Sequence, residues 1–473
     1  MADILTPDIC VIGAGSGGLS VAAAAAAFGV PVVLIEKGAM GGDCLNFGCV
    51  PSKALIAAAR RAHSARNAAS LGVDAHVTVD FARVHDHVRG VIAAIAPNDS
   101  VERFTGLGVH VIKGAARFKD KNTVTVNDIE VKARRFVIAT GSSPSAPPIP
   151  GLDTVPYLTN ETVFDLKQCP DELVIIGAGP IGLELAQAFC RLGARVTVLE
   201  AATAFAKEDP ECTAIVLDQL AREKIAIREN AKIVRIEKGP GRIRAILATA
   251  GGEEMIGGSH LLVAAGRRAN VEGLGLDEAG VKYERRGIVV DKGLRTANRR
   301  VYAIGDVAGG LQFTHAANYH AGLVIKNAVF RLPVSVNDDL VPRVTFTDPE
   351  LAHAGLTEAQ ARERHKKISV LRWPFHENDR AQTERDTHGH IKIVATPRGR
   401  ILGATIVGTE AGEMITTWAL AIAQGMNIRS MTGVVVPYPV RAEVGKRAAI
   451  SFFARSLTSP LLRSIIAMLR RFG

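Results

Sequence analysis

Two stretches of the sequence share one pattern and decide the fold. They are DICVIGAGSGGLSVAAAAAAFGVPVVLIEK at residues 8–37 and ELVIIGAGPIGLELAQAFCRLGARVTVLEA at residues 172–201. Each begins with a short β-branched run, continues through G-x-G-x-x-G into an apolar helical stretch, and reaches a second apolar run that leads to a glutamate. A buried strand, a tight turn, a helix and a second strand explain this order. The repeat therefore predicts an α/β protein with two Rossmann-like dinucleotide-binding domains.

The three glycines of each pattern have separate roles. The first permits the tight turn, the second lets the backbone approach a pyrophosphate, and the third lets helix and strand pack closely. The pyrophosphate lies at the helix N-terminus, and the glutamate binds the ribose hydroxyls. One such motif is a weak signal, but two in the same context predict two dinucleotide sites. The predicted residues are Gly13, Gly15, Ser16, Gly17, Gly18 and Glu36 in the first copy and Gly177, Gly179, Gly182 and Glu200 in the second.

The second site favours NADH over NADPH on grounds of charge. Glu200 would repel the 2′-phosphate of NADPH, and the two alanines that follow it offer no arginine to bind that phosphate. Arg195 and Lys207 are nearby in sequence and would weaken the preference. We expect NADH as the second dinucleotide.

The composition is that of an ordinary globular protein. At 473 residues the chain exceeds the size of one hydrophobic core, which predicts about three domains. The formal net charge is +10, but aromatic residues make up only 5%, so we expect no nucleic-acid partner. No apolar stretch is long enough to span a bilayer, and the opening MADILTPDICVIG lacks the basic region of a secretory leader. We therefore expect a cytoplasmic protein.

The segment GGDCLNFGCVPSKAL, residues 41–55, contains the one close pair among six cysteines, Cys44 and Cys49. Their spacing does not suit a zinc knuckle and no second Cys/His pair is near, so we predict no metal site. The residues that follow predict a helix, and a cysteine near a helix N-terminus has a lowered thiol pKa. We predict a dithiol/disulfide couple beside the first dinucleotide. The other cysteines are expected in the core (Cys10, Cys190) or at the surface (Cys169, Cys212).

These features together resemble the flavoprotein disulfide reductases, which include dihydrolipoamide dehydrogenase, glutathione reductase and mercuric reductase. GGDCLNFGCVPSK resembles the redox-active motif of that family. VIATGSSPSAPPIPG from residue 137 resembles the segment where the chain leaves the FAD domain, and VYAIGDVAGGLQFTHAANYHA from residue 301 resembles the second FAD-binding segment. PRVTFTDPELAHAGLTE from residue 342 resembles the opening of the dimerisation domain. The resemblance covers nearly the whole chain.

The resemblance implies roles for matching residues. The repeated stretches at residues 8–37 and 172–201 are here called the first and second fingerprints. FAD would occupy the first and NAD(P)H the second, and hydride would pass through the flavin to a Cys44–Cys49 disulfide. Cys49 matches the thiol that stays against the flavin, and Cys44 the thiol that attacks the substrate. Lys53 and Glu184 match an ion pair beside the flavin ring. The matching segments also imply FAD or NAD(P)H contacts at Gly42, Thr140, Gly141, Gly266, Asp306 and Ala316.

The sequence departs from the family at the proton-shuttling residue. Members that reduce disulfides use a His–x4–Glu element supplied by the partner subunit. Here VPYPVRAEVGKRAA places Tyr438 at the histidine position, with Glu443 at the glutamate position. A phenol with a pKa near 10 is a poor base at neutral pH, which weakens the case for lipoamide or glutathione as substrate. Tyrosine here resembles mercuric reductase, although no cysteine follows Cys212 to deliver a metal ion.

Three functions follow as hypotheses. The first is a mercuric-reductase-like, FAD-dependent NADH oxidoreductase that passes electrons through the cysteine pair to a disulfide, a thiophilic metal ion or a quinone. The second is a dihydrolipoamide dehydrogenase that oxidises dihydrolipoyl groups with NAD+. The third is a thiol redox sensor with little turnover.

The predicted organisation has four segments and a homodimer. They are an FAD-binding domain with the redox cysteines at 1–150, an NAD(P)H-binding domain at 151–270, a second FAD-binding segment at 271–340 and an α+β dimerisation domain at 341–473. The end of the last segment predicts a basic amphipathic helix. Packing against the body of the protein or the partner subunit is the favoured interpretation, with peripheral membrane contact as the alternative. Its apolar positions are Leu461, Leu462, Ile465, Ile466, Leu469 and Phe472.

Overall fold

The computed structural model describes residues 3–454 and 459–472, which fold as two compact units. The first unit comprises the residues up to Ala204 together with Ile225–Asp338. The second comprises Phe205–Lys224 together with the residues from Asp339 onward. The second unit therefore takes one helix, Pro210–Arg222, from within the segment predicted to bind NAD(P)H. The four predicted segment boundaries remain predictions.

The first fingerprint lies in a five-stranded parallel sheet. Its strands are, in order, Val301–Ala303, Arg135–Ile138, Ile9–Ile12, Val32–Glu36 and His110–Lys113. The strand that precedes the fingerprint is buried on both faces, with Ile9 and Val11 in one hydrophobic core and Cys10 and Ile12 in the other. Burial on both faces explains why its sequence is continuously apolar instead of alternating.

Helices cover this sheet and carry the cysteine pair. The fingerprint continues into helix Ser16–Ala27, which packs against helix Thr314–Ala328. The helix Cys49–Arg66, here called the redox helix, contains Pro51 in its first turn, as predicted. It packs against Phe81–Ile95 and Pro180–Leu192. The remaining helices and 3-10 turns before the second fingerprint are Gly42–Asn46, Ala68–Leu71, Ala96–Asp99, Val101–Gly106, Leu152–Thr154 and Val163–Asp165.

The second fingerprint repeats this arrangement. A four-stranded parallel sheet has the order Ala226–Arg228, Arg195–Leu199, Glu172–Ile176 and His260–Val263, with helix Pro180–Leu192 after the glycine turn. Both copies therefore form the predicted strand, turn, helix and strand. The other strands of the first unit are Asp3–Leu5, Arg117–Asp120, Thr123–Val126, Ile129–Val131, Ser142–Pro144, Lys232–Gly239, Arg242–Thr249, Gly252–Gly258, Arg267–Ala269, Tyr283–Glu284 and Gly287–Ile288. The 3-10 turn Gly305–Ala308 completes the unit.

The second unit has the predicted α+β architecture. Its antiparallel sheet has the order Arg343–Thr345, Glu350–Gly355, Ile401–Gly408, His390–Ala395 and Ser369–Pro374. Trp418 and Phe375 are buried in its core. Its other helices and 3-10 turns are Asp338–Leu340, Glu358–Arg364, Phe375–Glu377, Asp379–Thr383, Ala411–Ala423, Ile428–Thr432, Glu443–Ser451 and Pro460–Leu469. Pro460–Leu469 is here called the C-terminal helix.

A buried lysine attaches helix Pro210–Arg222 to this sheet. The Lys392 Nζ atom lies 2.8 Å from Asp209 Oδ2, 2.9 Å from Glu211 Oε2 and 2.7 Å from Glu358 Oε2. Burial alone would lower the pKa of Lys392, but its hydrogen bonds to the carboxylates outweigh burial and raise it. The charge is therefore retained, and the lysine links the helix to strand His390–Ala395.

The structure corrects one expectation about the cysteines. Cys212, expected at the surface, is fully buried, and its sulfur lies 3.7 Å from His390 Nε2. Its polar neighbours Asp209 and Thr213 are buried as well, so the polar character of this stretch did not indicate exposure. Cys10 is buried as expected, and Cys190 is half-buried. Within the described part of the chain, no helix is both long enough and apolar enough to cross a bilayer.

Two glycine substitutions should have opposite effects on stability, one in the first fingerprint turn and one in an exposed helix. A Cβ atom on Gly18 would lie 1.9 Å from the Gly13 carbonyl oxygen, so Gly18→Ala should lower the free energy of unfolding by about 1–3 kcal/mol. Gly90 is exposed within a helix and its Cβ would meet nothing within 4 Å, so Gly90→Ala should raise stability by about 0.5–1 kcal/mol. Thermal and denaturant unfolding measure both. A Gly18→Ala protein as stable as the wild type would contradict this account of the turn.

Candidate active site

The first and third glycines of each fingerprint leave no room for a side chain. Gly13 and Gly177 have φ angles of +106° and +110°, which residues with a Cβ rarely adopt. A Cβ on Gly18 would meet the Gly13 carbonyl oxygen, and a Cβ on Gly182 would lie 2.0 Å from the Gly177 carbonyl oxygen. Both helices therefore begin directly against the preceding turn.

The second glycine of each fingerprint faces open space. A Cβ on Gly179 would meet nothing within 4 Å, and the nearest atom to one on Gly15 would be Gly42 Cα at 3.9 Å. This space lies at the N-termini of helices Ser16–Ala27 and Pro180–Leu192, where main-chain N–H groups and the helix dipole favour an anion. The residues present therefore fit a dinucleotide pyrophosphate at both sites.

The two glutamates have matching positions. Each carboxylate accepts one hydrogen bond from the glycine turn and one from the residue two positions beyond the glutamate itself. This pairing holds each carboxylate beside the turn, where the ribose hydroxyls of a bound dinucleotide would lie. The donors are Ala14 N (2.6 Å) and Gly38 N (2.6 Å) for Glu36, and Ala178 N (2.7 Å) and Ala202 N (2.9 Å) for Glu200.

The segment that contains the cysteine pair, residues 41–49, is here called the cysteine loop. Its backbone contacts the first fingerprint. Gly41 N donates a hydrogen bond to the Ala14 carbonyl oxygen at 2.9 Å. Gly42 has a φ angle of +60°, and a Cβ there would lie 2.7 Å from Gly15 Cα. The loop therefore begins in contact with the turn where FAD is predicted to bind.

The two thiols of the pair differ in their pKa. Cys44 lies in helix Gly42–Asn46 and Cys49 is the first residue of the redox helix. A hydrogen bond from the Cys44 thiol is the main factor that lowers the pKa of Cys49, to about 6, against the opposing effect of burial. The same hydrogen bond, together with burial, raises the pKa of Cys44. In the dithiol form the negative charge therefore lies on Cys49, and the proton stays on Cys44.

Two further groups favour the Cys49 thiolate. The Thr314 hydroxyl lies 3.5 Å from Cys49 Sγ and also lowers the Cys49 pKa, as does the charge of Lys53. Thr314 begins helix Thr314–Ala328, so two helix N-termini meet at this sulfur. A helix N-terminus favours a negative charge.

The predicted Lys53–Glu184 pair is formed. Lys53 Nζ lies 2.8 Å from Glu184 Oε2, and Glu184 is buried. The pair connects the redox helix with helix Pro180–Leu192 and so relates the thiols to the second fingerprint. Its predicted position beside the flavin ring remains a prediction.

A polar network that sequence reasoning missed orients the cysteine loop. Asn160 Nδ2 donates to Asp43 Oδ1 at 3.0 Å and to the Phe47 carbonyl oxygen at 3.2 Å, on either side of Cys44. Arg267 Nη2 lies 3.2 Å from the same Asp43 oxygen. Both side chains therefore fix the helix that contains Cys44, the thiol predicted to attack the substrate.

The same arginine reaches the predicted FAD residue Asp306. Arg267 Nε donates to Ser142 Oγ at 2.7 Å and lies 3.9 Å from Asp306 Oδ2. The Ser142 hydroxyl in turn donates to Asp306. Burial raises the pKa of Asp306. Arg267 and Thr314 are within segments that resemble the family, GRRAN and FTHAA, but nothing in the spacing of those segments shows which side chains they meet.

The remaining residues that were predicted to bind a cofactor also lie in the first unit. Thr140 Oγ1 donates to the Asn270 carbonyl oxygen at 2.8 Å, and Asn270 Nδ2 donates back to the Thr140 carbonyl oxygen at 3.0 Å. Gly141 and Gly266 have positive φ angles, and a Cβ on either would meet nothing within 4 Å. A small group of buried or half-buried positions, Ser16, Gly17 and Ala316, lies in helices Ser16–Ala27 and Thr314–Ala328.

Tyr438 and Glu443 bond to different partners. The Tyr438 hydroxyl donates to Asp379 Oδ2 at 2.7 Å, and this hydrogen bond raises its pKa. Glu443 accepts from Arg447 at 3.0 Å. The tyrosine is therefore further from acting as a base than its residue type alone suggests. Their predicted catalytic role at the partner subunit's thiols stays a prediction.

Two family matches cover most of the chain. Residues 7–321 match the pyridine nucleotide-disulphide oxidoreductases, and residues 341–449 match the dimerisation domain of the same family. The chain belongs to the pyridine nucleotide-disulphide oxidoreductase family. Members depend on FAD and NAD(P)H and act on sulfur groups, so the predicted family, fold and enzyme class are confirmed. The dimerisation domain supports the predicted homodimer.

Relatives within this family have different substrates. Mercuric reductase of Bacillus cereus is 37% identical over 449 residues, covering 94% of this chain and 71% of that protein. Dihydrolipoyl dehydrogenase of Geobacillus stearothermophilus is 35% identical over 449 residues, covering 93% of this chain and 94% of that protein. The solved Cu(II) complex of the HOCl-induced flavoprotein disulfide reductase RclA from Escherichia coli has a TM-score of 0.84 at 28% identity, covering 96% and 100%. Overall similarity therefore identifies the family and leaves the acceptor open.

The proton distribution predicts a titration. In the reduced protein, Cys49 should be a thiol below pH 6 and a thiolate above it, because its pKa is lowered to about 6. Lys53→Met and Thr314→Val should each move this step to higher pH, since each removes a group that favours the thiolate. Ultraviolet thiolate absorbance against pH, with Cys49→Ser subtracted, measures the step. Lys238→Met, an exposed lysine, is the control, and an unchanged step in both site variants would contradict the assignment.

Proposed function

We propose that this protein is an NADH-dependent oxidoreductase that uses FAD and the Cys44–Cys49 pair to reduce a thiophilic metal ion. The observation that supports it best is the retention of the proton on Cys44, together with the absence of a suitable base at residue 438. Each class of acceptor requires a different fate for that proton.

A disulfide acceptor needs the proton to be removed first. A thiolate, not a thiol, attacks a disulfide, and Cys44 is the thiol of the pair. Removal requires a base near neutral pH, such as the histidine that disulfide-reducing relatives use. Tyr438 occupies that position, and its hydrogen bond to Asp379 raises its pKa further. This pair is therefore poorly equipped for lipoamide or glutathione disulfide.

A metal ion displaces the proton itself. Binding of a soft divalent ion by cysteine releases the thiol proton, because the thiolate is the ligand. Cys49 already presents a thiolate, and Cys44 supplies the second sulfur. Within residues 3–454 and 459–472, no group of three or more His, Cys, Asp or Glu side chains could hold a metal ion. The Cys44 and Cys49 sulfurs would bind the ion as two ligands, and a site with two sulfur ligands suits a metal that must leave after reduction.

The relatives support the same class of acceptor. Proteins named mercuric reductase are among those similar to this chain, and the structural neighbour from Escherichia coli was solved as a Cu(II) complex. Bound FAD would accept hydride from NADH and pass two electrons to the Cys44–Cys49 disulfide. Two electrons reduce one divalent ion to the metal, or two divalent ions to the monovalent state.

Acceptor assays with NADH test the proposal. Wild-type protein should oxidise NADH faster with thiol-complexed Hg(II) or chelated Cu(II) than with lipoamide or glutathione disulfide. Cys44→Ser should reduce the metal-dependent rate by about 100-fold or more, because one of the two sulfur ligands is lost. Cys169→Ser, a substitution of the same kind outside the pair, is the matched control. Tyr438→His should raise the rate with lipoamide, since it restores a base.

Other outcomes identify the competing functions. A faster wild-type rate with dihydrolipoamide and NAD+ would overturn the proposal in favour of a dihydrolipoamide dehydrogenase. Quinone reduction that survives Cys44→Ser would show that electrons leave without the thiols. A reducible cysteine pair with no steady NADH oxidation in any assay would indicate a sensor.

The preference for NADH is part of the proposal and has its own test. Glu200 is held beside the second glycine turn by Ala178 N and Ala202 N, where a 2′-phosphate would meet its negative charge. Glu200→Ala should raise the NADPH-to-NADH ratio of kcat/KM about tenfold or more by removing that repulsion. Glu36→Ala, the equivalent change at the first fingerprint, should affect FAD retention and leave the ratio unchanged. A wild-type preference for NADPH would refute this assignment.

A further inference from the structure

The C-terminal helix presents an apolar face that the described chain leaves exposed. Leu461, in its first turn, and Phe472, three residues beyond its last residue, are 72% and 83% exposed. Ile465, Ile466 and Leu469, between them, are also exposed. The helical spacing predicted from the sequence is therefore confirmed, but the expected packing against the body of the same chain is not found among the described residues. With Met468, six large apolar side chains among residues 459–472 are exposed, and a surface of this kind needs a partner that covers it.

The charged side chains of this segment are all basic. At about 100° per residue, the large apolar side chains from Leu461 to Leu469 fall within an arc of roughly 160°. Arg463 falls in the opposite arc, Arg470 and Arg471 directly follow the last helical residue, and all three arginines are exposed. The stretch SPLLRSIIAMLRRF, residues 459–472, contains no aspartate or glutamate. The helix therefore has an apolar face, and the only charges of the segment are positive.

We propose that the C-terminal helix binds the surface of an anionic lipid bilayer. A helix in the interfacial plane buries its apolar side chains at the headgroup boundary while its arginines contact the lipid phosphates. Basic residues near an anionic membrane surface each strengthen binding, so the three arginines in and next to the helix form an electrostatic anchor. The helix is too short to span a bilayer, which agrees with a surface position.

Two observations favour lipid over a second copy of this chain. The match to the family's dimerisation domain ends at residue 449, so the helix lies outside the interface that the family shares. The arginines of this segment would also repel the same arginines of a second helix that paired with it. An anionic bilayer complements both faces of the helix at once.

Vesicle flotation of the full-length, FAD-containing protein tests this proposal. One set of vesicles contains phosphatidylcholine alone, and the other contains phosphatidylcholine and phosphatidylglycerol in equal amounts. The protein should bind the anionic vesicles about tenfold or more tightly than the neutral ones, and added salt should weaken that binding. Two triple variants probe the two faces: Arg463→Glu/Arg470→Glu/Arg471→Glu and Leu461→Ser/Ile465→Ser/Leu469→Ser.

Each variant should reduce binding to anionic vesicles about tenfold or more, because both the charge and the apolar area are needed. A matched control applies the same charge reversal at exposed arginines elsewhere and should retain wild-type binding: Arg285→Glu/Arg286→Glu/Arg398→Glu. NADH-dependent flavin reduction confirms that every variant is folded and loaded. Equal binding to both kinds of vesicle, or undiminished binding by the two helix variants, would overturn the proposal. Dissociation of the homodimer by the serine variant, without vesicle binding by the wild type, would instead assign the helix to the partner subunit.

Discussion

The close approach of backbone to backbone at the fingerprint glycines is the constraint on which the site depends. Because Gly18 lies against the Gly13 carbonyl, the first helix begins at the turn, and its N-terminus faces open space beside Gly15. Gly42 contacts that same turn, so the cysteine loop starts where FAD is predicted to bind. The second fingerprint repeats the turn, and the Lys53–Glu184 pair connects it to the redox helix. Gly13, Gly15, Gly18 and Gly42 thus bring the cysteine loop to the turn where FAD is predicted to bind.

The chemistry of the pair follows from an unequal sharing of one proton. Cys49 gains a hydrogen bond from Cys44, a nearby hydroxyl from Thr314 and the charge of Lys53, and these together outweigh the cost of burying a thiolate. The same hydrogen bond raises the pKa of Cys44, so Cys44 keeps its proton. An acceptor that brings its own means of displacing a proton can use such a pair directly, whereas an acceptor that requires a free thiolate at Cys44 needs a separate base.

Relatives that share this family have names that give different substrates. The two family domains, at residues 7–321 and 341–449, are common to them. Two features of this chain bear on its own acceptor and location: a tyrosine hydrogen-bonded to Asp379 where disulfide-reducing members are expected to have a histidine, and a helix beyond the shared domain. Both features lie outside the fingerprint turns, where glycine geometry permits little variation.

The sequence by itself determined the two fingerprints, the cysteine pair, the family and the α+β dimerisation domain, because each depends on local periodicity, glycine spacing or a motif. It could not determine the Asn160 and Arg267 contacts with Asp43, because no motif or resemblance pairs these residues. Burial of Cys212 was also missed, because its polar neighbours suggested a surface position, whereas Asp209 and Thr213 are themselves buried. Only the tertiary structure decided which thiol keeps the proton and which apolar face stays uncovered, since both depend on neighbours that the chain brings together by folding.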